Sequence, residues 1–186
     1  SNSMIQSNNQ GSQAMGYVIN SGQILSSGQG SFAIGSVSTG TDVRISASSS
    51  GSIAMGYAFN SGQILSSGLG SFAFGGASGI PGVTGGVTGS IIASGQGSLA
   101  RGWAEESGQI SATSSGSFAS GYASSTGSLI QASGIGSHAM GYAISSGQIL
   151  ASGLGSFAVG GASGIPGVFS GITGSIIASG QGSFSQ

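Results

Sequence analysis

Side chains able to carry acid–base, nucleophilic or metal chemistry are scarce in this sequence. His138 is the single histidine and there is no cysteine, so a Ser/His/Asp triad would rest on one residue and Cys/His or thiolate–metal arrangements are excluded. His138 fills a slot held in other repeats by Phe or Ile, which makes it a tolerated outward side chain. Glu105 and Glu106 are adjacent, and neighbouring strand residues point to opposite faces, so they do not form a paired-carboxylate site. They read as turn residues, one of them placed to offset Arg101. Asp42 and Arg44 share strand parity and are placed to pair locally. These few oxygen ligands give only weak support to a metal site. The pairs Gly28/Gly30 and Gly68/Gly70 lack the third glycine and the strand-to-helix setting of a nucleotide fingerprint. No catalytic residue, cofactor or metal ligand is assigned, and no enzyme activity is expected.

Aromatic residues offer binding chemistry instead. Trp103 occupies the slot used by Tyr17, Tyr57, Tyr122 and Tyr142, an arrangement that would suit either sugar stacking or burial in an oligomer contact. The apolar neighbours of these positions favour the contact.

The elements that position these residues follow from a repeat. Of 186 residues, 40 are Gly and 44 are Ser, a composition of flexible linkers. The hydrophobic 38% is nonetheless periodic. Gly-Ser-x-Ala-x-Gly opens at Gly11, Gly30, Gly51, Gly70, Gly97, Gly116, Gly136 and Gly155, with a truncated copy at Gly182. Six residues before each stands isoleucine: Ile5, Ile24, Ile45, Ile64, Ile91, Ile110, Ile130, Ile149 and Ile176. A β-branched residue kept in phase while repeat length varies from 19 to 27 marks a stacked core column.

Each repeat holds two strand-like halves with period-two alternation, and no 3.6-residue apolar stripe survives the Gly and Ser. The fold predicted is all-β: a β-solenoid or β-roll of about nine turns of 19–27 residues, two short strands per turn. Residues 1–186 form one array with a super-repeat of about 85 residues, 11–96 and 97–181. Within it, residues 51–96 and 136–181 match at 38 of 46 positions. The only prolines fall in segments near 78–89 and 163–174, expected to leave the solenoid wall as loops. The array opens and closes in mid-repeat, which predicts either a window of a longer array or end-to-end stacking.

Alanine is invariant at the fourth motif position while its neighbours vary widely and include Arg101. Ser, Ala and Gly are therefore placed inward against the Ile column, since an unpaired arginine is costly to bury. An outward assembly face results: Phe32, Phe72, Phe118, Phe157, Met15, Met55, Met140, Tyr17, Tyr57, Trp103, Tyr122 and Tyr142. The opposite packing, with bulky residues inside and a smooth Ser/Ala/Gly surface, is the alternative. Five residues carry formal charge, too few to attract nucleic acid or an anionic membrane surface. Gly and Ser interrupt every apolar run well short of the ~18 residues of a spanning helix, so no membrane insertion is expected. So uncharged a surface predicts cover by other copies.

The units "SFAIG", "SIAMG", "SFAFG" and "SFAVG" resemble the head repeats of trimeric autotransporter adhesins of the YadA type. The resemblance covers the first half of each turn and implies a β-roll head on a bacterial surface, trimeric and used for attachment. The function expected is a structural, self-associating solenoid at the cell surface or outside the cell, forming a fibre or layer with an adhesive role. Homo-association would be lateral and end to end, and no residue pattern names a receptor. The alternatives are a trimeric adhesin head and an ice- or carbohydrate-binding solenoid. Seven Thr that form no column count against ice binding.

Overall fold

The computed structural model describes residues 3–40, 42–80, 88–164 and 174–186. Among the described residues eighteen strands alternate between long and short: β1 (Met4–Ser7), β2 (Gln13–Val18), β3 (Gln23–Ser26), β4 (Phe32–Ser38), β5 (Arg44–Ala47), β6 (Ile53–Phe59), β7 (Gln63–Ser66), β8 (Phe72–Ser78) and β9 (Ser90–Ala93) are followed by β10 (Leu99–Glu105), β11 (Gln109–Ala112), β12 (Phe118–Ser124), β13 (Leu129–Ala132), β14 (His138–Ile144), β15 (Gln148–Ala151), β16 (Phe157–Ser163), β17 (Ser175–Ala178) and β18 (Phe184–Ser185). Odd-numbered strands form one nine-stranded parallel sheet and even-numbered strands another. The chain is a β-solenoid with two strands per turn and no helix among the described residues. Because β18 holds two residues, there are about eight complete turns with a ninth begun.

Every repeat pairs with the next without slip. Ile24 meets Ile45 and Ile45 meets Ile64, and the register persists from Ile64 to Ile91 across a 27-residue repeat. The reason lies in the corners. From short strand to long, the corner has fixed length: at Ser66–Ser71, Gly70 takes φ +60, Ser71 N donates to Gly68 O at 3.1 Å, and the two serine hydroxyls lie 2.7 Å apart. From long strand to short, length varies, and the tight versions place two successive residues at positive φ. Asn60 (φ 47) and Ser61 (φ 69) make such a turn, closed by Gly62 N to Phe59 O at 2.8 Å, the geometry of a type I′ turn. Extra residues therefore enter where they do not disturb the ladder. Of the two proline-containing segments, residues 81–87 and 165–173, with both prolines, lie outside the described residues. At the base of the first, Gly89 N donates to Ser78 O at 3.1 Å.

The core is thin. Ile24, Ile45, Ile64, Ile91, Ile110, Ile130 and Ile149 are fully buried, facing the buried alanines Ala33, Ala54, Ala73, Ala100, Ala119, Ala139 and Ala158. A Cβ on Gly56 (φ +147) would sit 2.9 Å from Ile64 Cδ1 and 1.9 Å from Gly75 O. Only glycine admits both the conformation and the approach of its neighbours. Each isoleucine contributes about 1.5–3 kcal/mol by burial, but only with a turn stacked on both sides. The ends of the column correct the expected core: Ile5 is 45% exposed, and Ile176 is only partly buried, because each has a neighbouring rung on one side only.

Candidate assembly face

Alternation along the long strands turns alternate residues outward, and parallel register stacks them into columns. The first column runs Gln13, Phe32, Ile53, Phe72, Leu99, Phe118, His138, Phe157, Phe184. Its rings follow one another closely: Phe118 to His138 is 5.7 Å between centroids with the planes tilted, while His138 to Phe157 at 5.7 Å and Phe157 to Phe184 at 5.6 Å are stacked. The second column runs Met15, Ile34, Met55, Phe74, Arg101, Ser120, Met140, Val159, and the third Tyr17, Ser36, Tyr57, Gly76, Trp103, Tyr122, Tyr142, Gly161. Tyr122 and Tyr142 stack at 5.2 Å with planes 12° apart.

The outward residues named from the sequence all lie on this one face. Met15, Tyr17, Tyr57, Trp103 and Tyr142 are exposed, whereas Phe32, Met55, Phe72, Phe118, Tyr122, Met140 and Phe157 are partly covered by their own ladder neighbours. On the opposite wall, the short-strand sheet shows Gln23, Gln63, Gln109 and Gln148 in one column with Arg44 and Leu129, beside a second column that includes Leu25, Leu65, Ile92, Leu150 and Ile177, a surface of mixed polarity.

The charged residues part company with the pairings expected for them. Glu105 ends β10 rather than lying in a turn, and only Glu106 stands in the turn, at φ 49. Arg101 is not offset by either glutamate: its Nε donates to Ser120 Oγ at 3.2 Å and its guanidinium sits 5.3 Å from the Phe118 centroid. Asp42 is exposed in a positive-φ turn, and Arg44 keeps its Nε buried without a hydrogen-bond partner. His138 Nδ1 lies 3.1 Å from Gly136 O, between two phenylalanine rings. Among the described residues no group of three or more His, Asp or Glu could hold a metal ion.

One cluster was invisible in the repeat pattern. Glu105 accepts hydrogen bonds from the Trp103 indole (3.0 Å to Oε2) and from the Tyr122 hydroxyl (to Oε1). The Tyr122 bond is the main force holding the Glu105 carboxyl below its ordinary value, with Trp103 and Ser124 adding to it against partial burial, which pushes it up. The same bond pushes the Tyr122 phenol upward. The indole leans over Gly76, whose Cβ, if present, would fall 2.1 Å from Cε3, and approaches Phe59 at 6.3 Å. The available signal was the glycine standing in an aromatic column directly before the only tryptophan.

No family model, curated protein or solved structure matches the chain.

Proposed function

We propose that this chain is a structural, self-associating β-solenoid that builds a fibre or surface layer outside the cell, with adhesion as its consequence. The observation carrying the reading is the outer face of the long-strand sheet, on which aromatic and aliphatic columns run through every rung and only Arg101 and Glu105 carry formal charge. Nine strands at ~4.8 Å and seven residues at ~3.3 Å give a face of roughly 1,000 Å². A stable interface takes about 800 Å² from each partner, and this face, mostly apolar along its first three columns and serine-rich along the fourth (Ser38, Ser78, Ser124, Ser163), is large enough to supply it. A second copy of the same face suits this surface, because a flat sheet packs on another at about 10 Å with side chains interdigitated. The Ser-x-Ala-x-Gly resemblance to surface-adhesin heads supports the placement at the cell exterior.

Replacing Phe72, Phe118 and Phe157 together by Ser tests the reading. These side chains are not core residues, so the β-sheet circular dichroism should persist while sedimentation velocity shows the assemblies reduced to single chains. Assemblies of unchanged size would remove this face from the account.

A further inference from the structure

Two formal charges interrupt the apolar face, and both lie on one strand. Arg101, Trp103 and Glu105 are alternate residues of β10, so all three point outward with Trp103 midway. Arg101 spends one donor on Ser120, and no described residue accepts a hydrogen bond from its remaining guanidinium N–H groups. Glu105 is fixed by Trp103 and Tyr122, which hold the carboxylate in place without neutralising it. A contact that covered this strand with apolar side chains alone would bury both charges unpaired, against the full desolvation penalty of each.

Two in-plane two-fold axes lay one long-strand sheet face to face on its copy with the strands of the two sheets aligned. A two-fold axis along the strand direction keeps strands parallel and reverses the rods. Centred on β10, it sets Arg101 against Arg101 and Glu105 against Glu105. A two-fold axis along the solenoid axis reverses the strands and keeps the rods parallel. Centred on Trp103, it sets Arg101 of each copy opposite Glu105 of the other, with the two indoles at the centre.

We infer that two copies pair side by side with rods parallel, about a two-fold axis along the solenoid at Trp103, so that Arg101 and Glu105 form reciprocal ion pairs between them. The inference rests on the self-association proposed above and names its register. Like charges placed opposite each other exclude the antiparallel packing at this rung, and the pairing answers the desolvation of both groups at once. The contact is isologous and closed about its axis, so continuous lateral growth would need a different face.

The test is charge reversal at pH 7 and low salt, read by sedimentation equilibrium. Arg101→Glu alone should raise the dissociation constant at least tenfold, and so should Glu105→Arg alone, because each places like charges opposite one another. An equimolar mixture of the two variants should associate with wild-type affinity, since each then supplies the charge the other lacks. That recovery also excludes misfolding of either variant, which mixing cannot repair. Single reversals that associate as tightly as wild type, or variants that stay dissociated when mixed, overturn the register. A wild-type chain that is monomeric at every concentration overturns self-association itself, before any charge is changed.

Discussion

The indole of Trp103 lies over Gly76 of the preceding rung, so close that a Cβ there would stand 2.1 Å from Cε3 and 2.2 Å from Cζ3. No positive φ is involved at Gly76, so the conflict is one of space rather than backbone strain. Gly76→Ala should therefore displace the indole, at about 1–3 kcal/mol for overpacking. As Trp103 is the only tryptophan, its fluorescence reports the event directly, with an emission maximum moving to the red. The counterpart Gly161→Ala, where a Cβ meets nothing within 4 Å, should leave the spectrum unchanged. A Gly76→Ala spectrum like that of wild type would contradict the seat.

The hydrogen bond from Tyr122 to Glu105 predicts a titration. Its removal in Tyr122→Phe should move the Glu105 carboxyl upward toward its ordinary value of 4.5, followed by carboxyl chemical shifts in nuclear magnetic resonance. A carboxyl held low in the folded state stabilises the fold above pH 4.5, and that contribution disappears as pH falls through the lowered value. Tyr122, held high, behaves oppositely: its contribution is present below pH 10 and is lost as pH rises through the raised value. The stability difference between wild type and Tyr122→Phe should thus be constant at neutral pH and shrink under acid. A difference that persists well below pH 4 would assign the effect to packing.

Position in the stack should grade the isoleucines. Ile64→Ala, at a fully buried site with rungs on both sides, should cost about 2–5 kcal/mol. Ile5→Ala, at a site 45% exposed, should cost under about 1 kcal/mol. Urea unfolding followed by circular dichroism measures both, and equal costs would contradict the assigned core.

The tight corners hold residues that would gain from replacement. Ser107 sits at φ 73 as the second central residue of the turn closed by Gly108 N to Glu105 O at 2.7 Å. Glycine adopts that conformation freely, so Ser107→Gly should stabilise the fold by about 1 kcal/mol. A loss of stability in the same urea experiment would show that the serine side chain matters more than its backbone.

Fold class, strand pairing and the core column were legible in the sequence because the solenoid stacks like on like. An isoleucine always six residues before the same glycine leaves one register in which all copies align, and a 27-residue repeat cannot disturb it when its extra length lies in the other corner. What stayed hidden was lateral and local. Glu105 and Glu106 read as a turn pair, yet the strand runs one residue further and takes Glu105 onto the aromatic face. Arg101 reads as offset by one of these turn glutamates, whereas its long side chain leans onto the next rung, over Phe118 and against Ser120. Such contacts run between rungs 17 to 27 residues apart, and a column of residue types does not reveal which way a side chain leans. Ile5 and Ile176 belonged to the column by phase, but burial needs a neighbour on both sides.

Sedimentation velocity of the wild-type chain over a hundredfold range of concentration at pH 7 is the most direct test of the account. Self-association through the long-strand face predicts a sedimenting mass that rises with concentration from the 17.6 kDa of the chain toward twice that value, and beyond it only where pairs also join through another face or their ends. A single boundary at 17.6 kDa throughout would contradict it and leave the aromatic columns exposed to water.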